Sequence, residues 1–167
     1  MRRTPTEIRS ERRTVYLDAT IPSYAVDSRE QIKLHCGITR QWWRNERGNY
    51  RLFVSDETLA ELGEGTYQGK QAALAMTALI PVLRHTDRIT EIAAKYIEHR
   101  LMPRVLGGDA FHLAYASFYG IDFLLTWNCN HLANANKRQH IRWLNTSMDL
   151  GVPEIVTPLE LVKEKKI

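Results

Sequence analysis

The sequence has few of the features that mark membrane or secreted proteins. No run of apolar residues approaches the roughly 20 that a helix needs to cross a bilayer, so we expect no membrane insertion. Only two cysteines are present, Cys36 and Cys129, which are too few for a disulfide framework. The basic N-terminal segment lacks the apolar stretch that follows the charges of a secretory signal. These absences predict a cytoplasmic protein with reduced cysteines.

The remaining composition is that of one globular domain. The chain has 167 residues, of which 44% are hydrophobic and 25% are charged, so it can bury a core of its own. We predict a basic, flexible arm over residues 1–13 and a single domain over residues 14–167.

The net charge of +4 suits a polyanionic partner without identifying one. The basic residues form three groups along the chain: Arg2, Arg3, Arg9, Arg12 and Arg13; Arg40, Arg44, Arg47 and Arg51; and Lys137, Arg138 and Arg142. A solvated surface explains each group about as well as contact with nucleic acid does.

Short apolar segments alternate with segments of helical periodicity. Strands are predicted at residues 14–17, 51–54, 82–83, 123–126 and 155–156. Helices are predicted near residue 20, at 29–48, from 56, at 71–80, 88–99 and 109–116, around 140, and from Pro158 onward. Because such strands are too short and apolar to face solvent, the pattern predicts an α/β fold. We expect a three-layer α/β/α sandwich with a central parallel sheet of about five strands.

Acidic and amide side chains stand where this sheet would bind a ligand. Asp18 directly follows the first strand, and Asn128 follows the strand at 123–126. Glu61 lies on the helix after the second strand, and Asp109 opens a helix after two glycines. Ligands of parallel sheets bind beyond the carboxyl ends of the strands, so we expect these side chains to lie near one another.

Three carboxylates in one place repel one another unless a cation compensates their charge. Ligands that offer only oxygen select hard ions such as Mg²⁺ or Mn²⁺. Such ions activate water and stabilise the oxygens of a phosphodiester during hydrolysis. The candidate chemistry of Asp18, Glu61 and Asp109 is therefore metal-dependent phosphodiester hydrolysis.

Each of these acids also has a purely structural interpretation. Asp18 could cap the turn that follows its strand, and Asp109 is a good N-cap. Glu57, Glu61 and Glu64 recur at helical spacing and form the acidic stripe of any solvated helix face. Periodicity alone does not choose among the three glutamates.

Four segments, taken in order, resemble the PIN-domain family, and specifically its VapC-like toxins of toxin–antitoxin systems. The segments are YLDAT at 16–20, VSDETLAEL at 54–62, GDAFHLA at 108–114 and FLLTWN at 123–128. The resemblance implies a PIN-like fold over nearly the whole chain after the arm. It also implies that Asp18, Glu61 and Asp109 are the catalytic metal ligands, with Mg²⁺ or Mn²⁺ as cofactor.

The same resemblance assigns supporting roles and partners. The Thr20 hydroxyl would orient a ligand or a water. Asn128 departs from the many relatives that carry a fourth Asp nearby, and its neutral amide supports the site without charge, which leaves one or two metals open. The implied activity is that of an endoribonuclease that prefers single-stranded RNA. The implied assembly is a homodimer held inactive by a small antitoxin that covers the acidic cleft.

Other residues have weaker assignments. Trp127, Lys137, Arg138 and Arg142 are candidates for contact with RNA through base stacking or the phosphate backbone. Trp42 and Trp43 are expected in the core or a dimer contact. His112, one turn after Asp109, is expected to pack. The spacing of His35, Cys36, Cys129 and His131 matches no zinc pattern.

Two other functions compete with the ribonuclease hypothesis. A phosphatase of the haloacid-dehalogenase type, or a response-regulator receiver domain, would also place an aspartate after the first strand, but the dehalogenase chemistry needs a second Asp where Thr20 stands. A PIN-like domain could also have kept the fold and become a catalytically weak or inactive RNA-binding or interaction module. The three intact acids favour the enzyme.

Overall fold

The computed structural model describes residues 12–103 and 108–163. A five-stranded sheet forms its centre, with the strands β1 (Thr14–Leu17), β2 (Arg51–Ser55), β3 (Val82–Leu83), β4 (Phe123–Leu125) and β5 (Glu154–Val156). The strand order is β3-β2-β1-β4-β5, and every neighbouring pair is parallel. The order changes direction between β1 and β4, which is where a parallel α/β sheet opens a crevice for a ligand.

Helices cover both faces of this sheet. They are α1 (Thr20–Val26), α2 (Lys33–Asn45), α3 (Asp56–Gly63), α4 (Lys70–Thr77), α5 (Asp87–Glu98), α6 (Asp109–Phe118) and α7 (Arg138–Ser147). Successive side chains of a strand point to opposite faces. Accordingly, Tyr16 packs into one buried cluster, whereas Val15 and Leu17 pack into the other. The predicted three-layer α/β/α sandwich is confirmed.

Local signals explain where α3 begins and ends. The Ser55 hydroxyl accepts a hydrogen bond from the Thr58 backbone N–H at 3.2 Å, and the Thr58 hydroxyl accepts one from the Ser55 N–H. This reciprocal capping starts the helix directly after β2. The helix ends at Gly63, just before Gly65 adopts a positive φ of 65°. The short helix therefore carries Glu57 and Glu61 beside the carboxyl edge of the sheet.

The expected terminal helix from Pro158 is wrong within the described residues. Residues 158–160 form a turn, and residues 161–163 are not helical. The Leu161 carbonyl accepts a hydrogen bond from the Trp42 indole at 2.7 Å, and the Lys163 N–H donates to Glu46 at 3.1 Å. Residues of α2 and its C-terminal flank already bond to these backbone groups, so the groups do not need the hydrogen bonds of a helix.

The bond from Trp42 to this terminal segment should be measurable. Trp42→Phe leaves the buried Leu161 carbonyl without its donor, so we expect the free energy of unfolding to fall by about 1–2 kcal/mol in a urea titration. Trp143→Phe is the matched control, because Trp143 is 60% exposed whereas Trp42 is 2% exposed. Equal losses in both variants would contradict the assigned contact.

Two further predictions concern membrane insertion and the N-terminal arm. No helix within 12–103 and 108–163 is long and apolar enough to span a bilayer. Most of the predicted arm, including Arg2, Arg3 and Arg9, lies outside the described residues. Arg13, the last residue of that arm, lies against the sheet, where its carbonyl accepts from the Arg51 N–H at 2.9 Å.

Candidate active site

The candidate site lies at the carboxyl ends of β1 and β4. Asp18 follows β1 and is buried, with 2% of its surface exposed. Thr126 and Asn128 follow β4, Asp109 is the first residue of α6, and Glu61 projects from α3. Parallel pairing of β1 with β4 brings these strand ends side by side, as the sequence pattern predicted.

Hydrogen bonds hold both oxygens of Asp18. Its Oδ1 accepts from the Thr20 N–H at 3.0 Å and from the Thr20 hydroxyl at 2.5 Å, and its Oδ2 accepts from the Thr126 hydroxyl. Asp18 thus caps the turn into α1, as the structural interpretation predicted. Burial raises the pKa of Asp18 above its ordinary value, although the charge of His112 and the two hydroxyls oppose this. A nearby cation would therefore stabilise the ionised carboxylate.

Asn128 connects this arrangement to Asp109. Its side-chain amide donates to Asp109 Oδ1 at 2.8 Å, and its backbone N–H donates to the Thr126 hydroxyl at 2.9 Å. One continuous hydrogen-bond path therefore runs from Asp18 through Thr126 and Asn128 to Asp109. Sequence reasoning missed Thr126, although a hydroxyl residue at the end of a strand beside Asn128 was a usable signal.

Glu61 is held by His112, a buried residue of α6. The two side chains are joined by a hydrogen bond of 3.0 Å between His112 Nε2 and Glu61 Oε1. Burial disfavours the charged ring, but the hydrogen bond and the charge of Glu61 outweigh it and raise the pKa of His112. Glu57 instead accepts from the Gly108 N–H at 3.0 Å, and Glu64 is exposed. The three glutamates of the acidic stripe thus have three different environments.

A comparison with solved structures identifies the fold. The chain is similar to VapBC2 from Rickettsia felis bound to a promoter DNA fragment, with a TM-score of 0.53 and 14% identity over 86% of this chain and 98% of that one. It is also similar to VapBC-1 from nontypeable Haemophilus influenzae, with a TM-score of 0.52 and 19% identity over 87% and 98%. The chain has a PIN-like fold.

A third similar structure is Mycobacterium tuberculosis VapC20, a toxin that cleaves the sarcin-ricin loop. The TM-score is 0.50, with 15% identity over 66% of this chain and 86% of VapC20. No protein-family model matches the chain, and no curated protein matches it in sequence. At these identities the similarity establishes the PIN-like fold, while the chemistry has to be argued from the residues.

A cleft of about 680 Å³ opens beside the carboxyl edge of the PIN-like sheet. Thr20 and Glu61 belong to its wall, together with Tyr24, Tyr67 and Glu64. Two of the predicted site residues therefore face a space that can admit part of a polymer.

The basic residues predicted to contact RNA lie in different parts of the surface. The Lys137 amine donates to the His131 carbonyl at 3.1 Å. Burial lowers the pKa of Lys137, and the negative charge of Asp109 acts in the opposite direction. Arg138 and Arg142 line a separate groove of about 760 Å³ beside β5. Lys137 therefore feels the charge of Asp109, whereas Arg138 and Arg142 line a different groove.

Trp127 belongs mainly to the core. It is 8% exposed, its indole N–H donates to the Thr39 hydroxyl at 2.7 Å, and its ring packs against Tyr24 and His35. This burial argues against Trp127 as a stacking surface for an RNA base. Trp42 is buried as expected, and Trp43 packs against the same cluster.

The donor chemistry of the site fits a hard divalent cation, because Asp18, Glu61 and Asp109 offer carboxylate oxygens. In this structure, however, the three carboxylates do not form a complete set of metal ligands. Across residues 12–103 and 108–163, no three His, Cys, Asp or Glu side chains stand close enough together to form a metal-binding group. Thr126 and Asn128 lie in the hydrogen-bond path between Asp18 and Asp109. Binding one cation by all three carboxylates would therefore require side-chain movements.

The contribution of the Thr126 hydroxyl to the site can be tested by substitution. Thr126→Val removes the donor to Asp18 and the acceptor of the Asn128 N–H in a fully buried place, so we expect a loss of about 1–3 kcal/mol in unfolding free energy. The RNA cleavage predicted from the sequence should fall about tenfold or more, since Asp18 Oδ2 loses its hydrogen-bond donor. Thr126→Ser keeps the hydroxyl and should retain most of both quantities. A Val variant as stable and active as the Ser variant would contradict this role.

Proposed function

We propose that this chain is a metal-dependent endoribonuclease that acts as the toxin of a toxin–antitoxin pair. The observation that carries the proposal is the continuous hydrogen-bond path from Asp18 to Asp109 at the carboxyl edge of a PIN-like sheet. The path orients two buried or half-buried carboxylates toward the same end of the sheet. Glu61, held by His112, completes the set of acids.

In this proposal Asp18, Glu61 and Asp109 hold Mg²⁺ or Mn²⁺. The chemistry that the ion supplies is a lowered pKa of water and compensation of charge on the phosphate oxygens. Thr20 and Thr126 orient Asp18, and Asn128 orients Asp109 through Oδ1. These partners fix the starting positions of the carboxylates, from which the side chains would move to bind the ion.

The substrate and partners follow from the same site. An RNA strand would enter the cleft beside Thr20 and Glu61, and Lys137, which feels the charge of Asp109, is a candidate contact for its phosphates. Two of the similar structures are VapBC structures by name. We therefore propose a small antitoxin that covers the acidic cleft, and a homodimer as the assembly of the toxin.

Removing the metal tests this proposal. Protein dialysed against a chelator should not cleave a panel of labelled RNAs, and Mg²⁺ or Mn²⁺ should restore cleavage of at least one of them. The readout is the appearance of shorter labelled fragments on a denaturing gel. Cleavage that persists in excess chelator would contradict the proposed chemistry.

A non-catalytic RNA-binding or interaction module is the second candidate. Two observations favour it: the carboxylates within the described ranges do not form a closed three-ligand group, and Asn128 adds no charge. Such a module should bind the RNA panel equally with and without chelator and release no fragments. The dialysis experiment therefore separates the two functions.

A further inference from the structure

Glu61 is the last member of a series of hydrogen-bonded polar side chains that begins at Tyr16 on β1. Tyr16 projects from β1, and its hydroxyl lies 2.6 Å from Ser55 Oγ and 2.5 Å from His112 Nδ1. The other ring nitrogen of His112 lies 3.0 Å from Glu61 Oε1. His112 is 2% exposed, so both of its nitrogens depend on these two partners. The ring is thereby fixed at two points.

The available protons determine which group donates in each hydrogen bond of this series. An ionised carboxylate only accepts, so Nε2 must carry the proton in the bond to Glu61. The tyrosine hydroxyl can donate to Nδ1 when the ring is neutral and can accept from it when the ring is charged. Thr58, which also lies 3.2 Å from the Tyr16 hydroxyl, uses its own proton on the Leu17 carbonyl at 2.9 Å. In either state of the ring, an N–H points from His112 to Glu61.

We propose that His112 is a positioning residue that orients Glu61 as a metal ligand, with Tyr16 fixing the proton on Nε2. This inference rests on the proposed function, since it assigns a purpose to Glu61 within that site. One oxygen of the carboxylate is held by the imidazole N–H, and the other is left for the cation. A hydrogen-bond donor that contacts a metal ligand, but not the metal, sets the orientation of that ligand.

Glu61 and Glu57 differ in their hydrogen-bond partners near the start of α6. The Glu61 carboxylate is held by the His112 ring, whereas Glu57 accepts from the Gly108 N–H at 3.0 Å. The orienting bond from His112 therefore applies to Glu61 and not to Glu57.

Nuclear magnetic resonance of the wild-type protein tests the direction of the bond. Long-range proton–nitrogen correlations of ¹⁵N-labelled protein report which ring nitrogen of His112 carries a proton. We expect a proton on Nε2. An unprotonated Nε2 with a proton on Nδ1 would overturn the inference, because His112 could not then donate to Glu61. This measurement needs neither metal nor RNA.

Calorimetric titration with Mn²⁺ alone tests whether the bond from His112 to Glu61 supports cation binding. His112→Leu removes the donor and should weaken Mn²⁺ binding about 10- to 100-fold, whereas His112→Gln can still donate to Glu61 and should stay within about threefold of wild type. Equal affinities of a folded Leu variant and wild type would overturn the inference. If the Leu variant does not fold, the nitrogen measurement still decides. A wild type that binds no Mn²⁺ contradicts the proposed function instead, which separates the two failures.

Discussion

Asp109→Asn is expected to lower RNA cleavage by at least about a hundredfold while the protein stays folded. In the proposed site the substitution removes one ligand charge, so the cation should be held less tightly. The fold should tolerate it, because the amide oxygen can still accept the Asn128 hydrogen bond and because removing the charge relieves repulsion among the acids. The measurement is the rate of cleavage of a labelled RNA, together with the thermal unfolding curve.

Asp149→Asn is the matched control for this change. Asp149 is exposed, and its φ of 56° is a conformation that asparagine also adopts readily. The control loses the same charge far from the strand ends, so cleavage should stay within about twofold of wild type. An Asp109→Asn enzyme as active as the Asp149→Asn enzyme would remove Asp109 from the site.

Glu61→Gln is expected to have an effect of similar size, and Glu57→Gln is expected to have almost none. Both changes remove one charge from the same helix, one turn apart. The Glu61 carboxylate is proposed to hold the cation, so its loss should lower cleavage by about a hundredfold or more. Glu57 accepts from the Gly108 N–H, a bond that a glutamine oxygen keeps, so cleavage should change by less than about threefold.

This pair decides a question that the sequence left open. Cleavage rates of the two variants, measured side by side at saturating Mg²⁺ and again at low Mg²⁺, should diverge most at low Mg²⁺ if Glu61 holds the cation. A larger loss in Glu57→Gln than in Glu61→Gln would move the third acid one turn along α3 and would also remove the purpose assigned to His112.

The strand pattern of the sequence predicted most of the fold. The two-residue β3 and the central β1 were both found where apolar, β-branched segments met turn signals. Because parallel strands align their carboxyl ends, placing Asp18 and Asn128 after strands was enough to predict that they lie near each other. The acids were therefore predictable to the level of the sheet edge.

Side-chain partners could not be predicted in the same way. The bonds from Thr126 to Asp18 and from His112 to Glu61 join residues far apart in the chain, and no periodicity encodes them. The terminal helix from Pro158 failed for a similar reason, since distant contacts with Trp42 and Glu46 use its backbone groups. Local propensity is overridden where such contacts exist.

The central claim is that Asp18, Glu61 and Asp109 share a divalent cation. Crystals soaked in Mn²⁺ and measured for anomalous scattering test it most directly, because the signal locates the ion without reference to activity. We expect an anomalous peak within coordination distance, about 2.0–2.3 Å, of carboxylate oxygens from all three residues. A peak elsewhere, or no peak at this sheet edge in protein that cleaves RNA, would contradict it.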